Sequence, residues 1–194
     1  MEHAEYYGEF YPKLLETESM LRNMAESIKN ESGASDLQPV VYYCSRIKSP
    51  ESMERKLAAR GFPVSLASAL ENAYDAVGIR LVCSFASDAV EVVERIESDP
   101  GIEILEKKDY LTFPKPNGYR SVHLCVRIKK TGMHAEIQVR TIAMDFWATL
   151  EHQMKYKKEV SNDRLIRSEL KRCADEIASV DLSMQTIREI LKDI

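Results

Sequence analysis

Two carboxylates stand out for where they fall in the chain. Asp75 immediately precedes the apolar run Ala76–Val82, and Glu136 lies inside "HAEIQVRT", residues 134–141. On a strand, Glu136, Gln138 and Arg140 share one face while Ile137 and Val139 take the other. If the apolar face packs on helices, the polar face opens onto a cleft. Asp75 and Glu136 on neighbouring strands would then suit Mg²⁺, which is commonly held by one or two carboxylates and completed by substrate phosphates. Cations are spaced to match. Arg46 and Lys48 point to one side of a strand, Ser49-Pro50 opens a helix whose free N–H groups favour an anion, and Lys56 follows about two turns on. A triphosphate accounts for all three cations and the helix start. An edge strand protected by lysine accounts only for the first two. Arg80 interrupts Val77-Gly-Ile-Arg-Leu-Val, a run expected to be buried, so its charge needs a partner or a ligand.

The stretch "FPKPNGYRSVHLCV", Phe113–Val126, is richer than a turn requires. Asn117-Gly118 makes the turn, and Tyr119 is expected to leave it with an exposed ring. A ring beside Lys115, Arg120 and His123 suits a nucleotide, the base stacking on the aromatic while cations hold its phosphates. A plain hairpin explains Asn-Gly but not the cations around it.

The 194 residues carry a net charge of −4, which argues against general attraction to nucleic acid or anionic membrane. The charge is nevertheless uneven. Residues 44–60 hold Arg46, Lys48, Arg55, Lys56 and Arg60 against Glu51 and Glu54, and residues 107–130 hold seven cations against Asp109. Two basic islands on an acidic protein focus field on a small polyanion. The four cysteines, 44, 83, 125 and 173, lack metal-ligand spacing and are expected to be reduced and buried. No leader and no membrane-spanning apolar stretch is visible, so a cytoplasmic protein is expected.

Periodicity predicts the elements that must position these groups. Leu14, Leu21, Met24, Ala25 and Ile28 give a helix over about 12–30, stopped by Glu-Ser-Gly at 31–33. A strand is expected over Val40–Lys48, a helix from Pro50 to Arg60 ended by Gly61, and a buried strand within 76–85. A short helix over Ser87–Ser98 follows, with Val90, Val93 and Ile96 inward. Strands are expected near 102–109, 121–129 and 134–140. A helix over 142–158 precedes a long one capped by Ser161 and running to about 192, with Leu165, Ile166, Leu170, Ile177 and Ile187 on its apolar side. This order predicts an α/β (α+β) class, a mixed sheet of about five strands flanked by helices, in a single domain over 1–194.

The segments "SRIKSPESMERKL", "DAVGIRLV", "DYLTFPKPNGYRSVHLCV" and "HAEIQVRTIAMDFWATLEHQMKYK" resemble the RelA/SpoT synthetase domain, in the family's order over about residues 40–158. In particular the chain resembles the small, single-domain alarmone synthetases. That resemblance implies a nucleotidyltransferase-like palm that moves the β,γ-pyrophosphate of ATP to the 3′-OH of GDP or GTP with Mg²⁺. It implies ATP binding by Arg46, Lys48 and Lys56, with Arg46 and Arg80 sandwiching adenine. Asp75 and Glu136 would be catalytic and hold the metal, with Gln138 supporting it. Lys115, Asn117, Tyr119 and His123 would hold the guanine nucleotide, and Asp145 would read its N1–H and N2–H₂ edge. His134, Trp147 and His152 are expected to pack. A homotetramer through the terminal helices, and regulation by pppGpp or single-stranded RNA, are also implied. The large relatives' hydrolase carries a His-Asp motif; no His-Asp dipeptide occurs here, so alarmone degradation is not expected.

Two rivals compete. An ordinary nucleotidyltransferase needs Gly-Ser and a strand-borne Asp-x-Asp; Gly-Ser is absent and Glu97-x-Asp99 falls in a turn. A non-catalytic sensor of guanine nucleotide or single-stranded RNA would keep the cations but need not keep both Asp75 and Glu136.

Overall fold

Alternating β-branched and aromatic residues draw five segments into one mixed sheet in the computed structural model, which describes residues 2–31, 38–156 and 163–192. The strands are β1 (Val40–Ile47), β2 (Val77–Cys83), β3 (Ile102–Asp109), β4 (Val122–Ile128) and β5 (His134–Thr141), in spatial order β1-β2-β5-β4-β3. Only β2 and β5 run parallel; every other pair is antiparallel. The mixed α/β sheet flanked by helices agrees with the sequence reading.

The sheet has two chemically distinct faces. Val77, Ile79 and Leu81 of β2, Ile137 and Val139 of β5, and Leu124 and Val126 of β4 are buried. They pack with Leu14, Leu21, Ala25 and Ile28 of α2 (Tyr11–Asn30) and with Ala89, Val92, Val93 and Ile96 of α5 (Ala86–Ser98). The opposite face carries the polar residues of the same strands, because side chains alternate. Helix α3 (Pro50–Ala59) starts where expected, the Ser49 hydroxyl accepting from the Ser52 N–H at 3.4 Å, and Gly61 beyond its end has φ +73°. Helix α6 (Ile142–Tyr156) follows β5 directly, and α7 (Asp163–Lys192) lies against it. The expected end at Lys158 and cap at Ser161 lie outside the described residues, as do Ser32 and Gly33.

Several details depart from expectation. Helix α1 (His3–Tyr7), the 3₁₀ turn Gly8–Phe10 and helix α4 (Leu66–Asn72), capped by Ser65 at 3.2 Å, are too short to show a period. Strand β1 stops at Ile47 because the Lys48 N–H turns to the Ala76 carbonyl at 2.9 Å. Val90 faces outward, the inward stripe of α5 running through Ala89 and Val92 instead. On α7, Leu165, Ile166 and Ile187 are exposed. Cys83 and Cys125 are buried, but Cys173 is half-buried and Cys44 is exposed, since Cys44 belongs to the polar side of the sheet.

Candidate active site

Sheet register assembles the polar face. Arg46 of β1 lies beside Gly78 of β2, Gly78 beside Glu136 of β5, and Glu136 beside Cys125 of β4. The next row runs Cys44, Arg80, Gln138, His123. A cleft of about 460 Å³ opens over these rows, lined by Arg46, Asp75, Arg80, Tyr119, Glu136, Gln138 and Arg140 and walled by Ala148, Thr149, Glu151, His152 and Gln153 of α6. The parallel β2–β5 pairing therefore brings Asp75 and Glu136, 61 positions apart in sequence, to one cleft.

At the β1 end, Asp75 pairs with Lys48 Nζ at 2.8 Å and Lys56 Nζ at 2.7 Å. Burial alone would raise its pKa, but the hydrogen bonds and charges of both lysines outweigh this and hold the carboxyl below its usual range. Lys48 and Lys56 thus share one space, with Asp75 between them. Helix α1 supports this end: the Tyr7 hydroxyl donates to the Lys48 carbonyl at 2.8 Å, and His3 Nε2 meets the Ile47 carbonyl at 3.2 Å. Arg46 stands exposed at the cleft edge.

At the β4 end the arrangement is more closed than expected. The Tyr119 ring is half-buried, not exposed, and its hydroxyl meets His123 Nε2 at 2.7 Å. Tyr110, Tyr119 and His123 pack edge to face with centroids 5.5–6.0 Å apart. The Lys115 ammonium sits 4.5 Å from the Tyr110 centroid and 4.9 Å from that of Tyr119. Burial lowers the His123 pKa to about 4, Lys115 and Arg140 adding to the effect against the opposing pull of Glu136. His123 is therefore a neutral hydrogen-bonding ring at pH 7, not a phosphate-holding cation. Arg120 also departs from expectation. It turns to α7, donating to the carbonyls of Gly118 at 3.2 Å and Ala174 at 3.4 Å and pairing with Asp175 at 3.6 Å. Asn117 braces the turn: its amide donates to Glu151 at 3.0 Å, and its carbonyl oxygen accepts from the Tyr119 N–H at 3.3 Å.

Between the two ends runs a polar chain. Gln138 donates to Glu136, Arg140 donates to Gln138 Oε1 at 2.6 Å and pairs with Asp145 at 3.6 Å, and Arg80 pairs with Asp145 at 3.2 Å. The Tyr42 hydroxyl donates to Asp145 at 2.5 Å. Arg80 has the partner its setting demands. Asp145 is buried beside the Arg80 and Arg140 guanidiniums and accepts from the Tyr42 phenol. Trp147 and His134 pack as expected, donating to the Leu170 carbonyl at 2.9 Å and contacting that of Leu70 at 3.1 Å. His152 does not: it is exposed on the cleft wall. Sequence reasoning missed Tyr42, Tyr110 and Glu151. The two-residue alternation Tyr42-Cys44-Arg46 could have revealed the first; nothing local marks Glu151.

The donor set suits a hard divalent cation. Asp75 and Glu136 present carboxylate oxygens to one cleft, and no group of three or more His, Cys, Asp or Glu able to hold a metal ion occurs among the described residues. Two carboxylates in one cleft are a donor set that Mg²⁺ would accept if substrate phosphates and water completed its shell. No described helix is long and apolar enough to cross a membrane.

Known proteins share the sequence and the fold. Residues 45–161 match the family model described as "Region found in RelA / SpoT proteins". GTP pyrophosphokinase YwaC of Bacillus subtilis is 38% identical over 157 residues, 78% of this chain and 75% of that one. A GTP pyrophosphokinase family protein from Streptococcus pneumoniae superimposes with a TM-score of 0.84 at 29% identity, covering 100% of this chain and 97% of the other. The small alarmone synthetase 1 of Bacillus subtilis, bound to its product pppGpp, also gives 0.84, at 26% identity over 96% of this chain and 97% of its own. A cation-lined cleft with paired carboxylates, on a fold and sequence shared with these proteins across most of its length, makes this chain a member of the RelA/SpoT family.

Proposed function

We propose that this chain is a GTP pyrophosphokinase, a small alarmone synthetase that transfers the β,γ-pyrophosphate of ATP to the 3′-OH of GDP or GTP, giving AMP and ppGpp or pppGpp. The observation that carries this reading is the position of Glu136. It lies on the central strand β5, with β1 and its Arg46 across one side of the sheet and β4, whose His123 meets the Tyr119 hydroxyl, on the other. A donor triphosphate on one side and an acceptor nucleoside on the other would meet at this carboxylate.

The chemistry follows from the side chains. Lys48 and Lys56 exchange Asp75 for ATP phosphates, and Arg46 and Arg80 flank the adenine. Tyr119 supplies a stacking face to guanine, and Lys115 leaves that face to meet acceptor phosphate. Glu136 accepts the proton of the 3′-OH as its oxygen bonds to the β-phosphorus, and the bond from that phosphorus to the α–β bridging oxygen breaks, releasing AMP. Asp75 and Glu136 would hold Mg²⁺, which when bound would offset the charge on the transferring pyrophosphoryl group. The presence of both carboxylates in one cleft favours an enzyme over a nucleotide or RNA sensor. The same reading includes a cytoplasmic homotetramer and regulation by pppGpp or single-stranded RNA. The exposed apolar residues of α7 support the assembly, and the basic islands support an anionic regulator.

The test is incubation of the purified chain with ATP, GDP and Mg²⁺ and separation of the nucleotides. AMP and ppGpp should appear in equal amounts, and Glu136→Gln should lower turnover by about 10²–10⁴-fold at similar melting temperature. Tight guanine-nucleotide binding with no product would favour the sensor. A Glu136→Gln protein within about threefold of wild type would remove the general-base role.

A further inference from the structure

The chain Glu136–Gln138–Arg140–Asp145 has a chemical direction. Arginine can only donate hydrogen bonds, so the oxygen of the Gln138 amide must face Arg140, and its NH₂ must face Glu136. The 2.6 Å bond from Arg140 to Gln138 Oε1 therefore sets which end of the amide the carboxylate meets. Without it the amide could turn over and present oxygen to oxygen. Arg140 is itself fixed. It is 4% exposed, pairs with Asp145 at 3.6 Å, and Asp145 is held from β1 by Tyr42 at 2.5 Å and from β2 by Arg80 at 3.2 Å. Its guanidinium carbon also lies 5.7 Å from the centroid of the Tyr119 ring.

We infer that Arg140 is a positioning residue for pyrophosphoryl transfer: through Gln138 it fixes the orientation of the Glu136 carboxylate, and through the Tyr119 ring it ties that carboxylate to the acceptor base. The inference rests on the pyrophosphokinase reading. A guanidinium that served only to anchor α6 through Asp145 would have no need of Gln138. Turnover depends steeply on such placement, since a misplacement of about 1 Å can cost on the order of 10²-fold.

Steady-state kinetics on Arg140→Met, Gln138→Met and the double variant test this. Each single change should lower kcat about 10- to 100-fold while KM for ATP stays within about twofold. The double variant should fall no more than about threefold below the worse single one, because both changes break one relay. Arg140→Met should also raise KM for GDP, whereas Gln138→Met, which leaves the Arg140–Tyr119 contact in place, should not. Arg140→Lys keeps one donor for Gln138 and should recover part of the lost kcat. Gln138→Met within about twofold of wild type, or single effects that multiply in the double variant, would overturn the inference. Should Arg140→Met not fold, Gln138→Met decides alone, since it leaves the Arg140–Asp145 pair intact. A wild-type chain that transfers nothing overturns the pyrophosphokinase reading and the inference with it; an active wild type with a near-normal Gln138→Met overturns the inference alone.

Discussion

Tyr119 serves two purposes at once, and they separate by substitution. Its ring can stack on an acceptor base, while its hydroxyl meets His123 at 2.7 Å. Tyr119→Ala removes both and should cost about 1–3 kcal/mol of base stacking, raising KM for GDP roughly five- to hundredfold with KM for ATP little changed. Tyr119→Phe keeps the ring and loses one neutral hydrogen bond, a change of about 0.5–1.5 kcal/mol, so its KM for GDP should fall between the two. If Phe were as damaging as Ala, the hydroxyl rather than the face would be the operative part. The type and strand position of such residues were readable before the structure. Alternation along a strand sorts side chains by face, and it put Arg46 of β1 and Glu136 of β5 on the side that lines the cleft. The state of His123 was not readable, because a depressed pKa depends on burial among residues from three strands and a loop, which no local spacing encodes.

Helix α7 decides how firmly the acceptor loop is held. Gly118 has φ +90°, and a Cβ added there would stand 2.4 Å from the Ala174 Cβ and 3.5 Å from the Lys171 Cα. Gly118→Ala should therefore cost roughly 2–4 kcal/mol through backbone strain and overpacking, lowering Tm by about 5–15 °C and weakening GDP binding more than ATP binding. A Tm unchanged by the substitution would mean that α7 does not press on the turn. The same helix is docked to β5 by a buried acid. The Thr141 hydroxyl donates to Asp181 at 2.7 Å, and burial raises the Asp181 pKa above 3.8 against the opposing effect of that bond. A carboxyl whose folded pKa is raised costs nothing below its unfolded pKa. The penalty grows as pH rises from there towards the folded pKa, and is constant above it. Asp181→Asn keeps an acceptor for Thr141 and removes the charge, so it should raise Tm at pH 7 and leave it unchanged near pH 3. A loss of stability at pH 7 would contradict this.

Across the molecule, α7 presents two chemistries to two sides. Asp181, Gln185 and Arg188 turn inward to Thr141, Ser87 and Asp88. Val180, Met184, Ile187 and Leu191, spaced by four, three and four, are 49–66% exposed. A stripe of that spacing suits a helix–helix interface. Under the tetramer proposed above, Ile187→Glu should break the assembly, shifting the light-scattering mass to a smaller species while leaving the circular dichroism of the folded chain intact. A wild-type chain that already runs as a monomer would remove the tetramer.

The helices long enough to show a period, all five strands and the two basic islands were determined by the sequence alone, because each rests on spacing within a few residues or on motifs that keep their order. Helices of five and seven residues escaped, being shorter than the pattern that would reveal them. Only the tertiary structure decided which charges would meet. Arg120 and Asp145 read alike as nucleotide contacts, yet the packing of α7 drew Arg120 away to Ala174 and Asp175, while α6 delivered Asp145 to Arg80 and Arg140. The physical reason is that a side chain's type sets what it can bind, whereas its partner is whichever complementary group the fold brings within reach. For residues as far apart as Tyr42 and Asp145, that proximity is created by the sheet and its covering helices together.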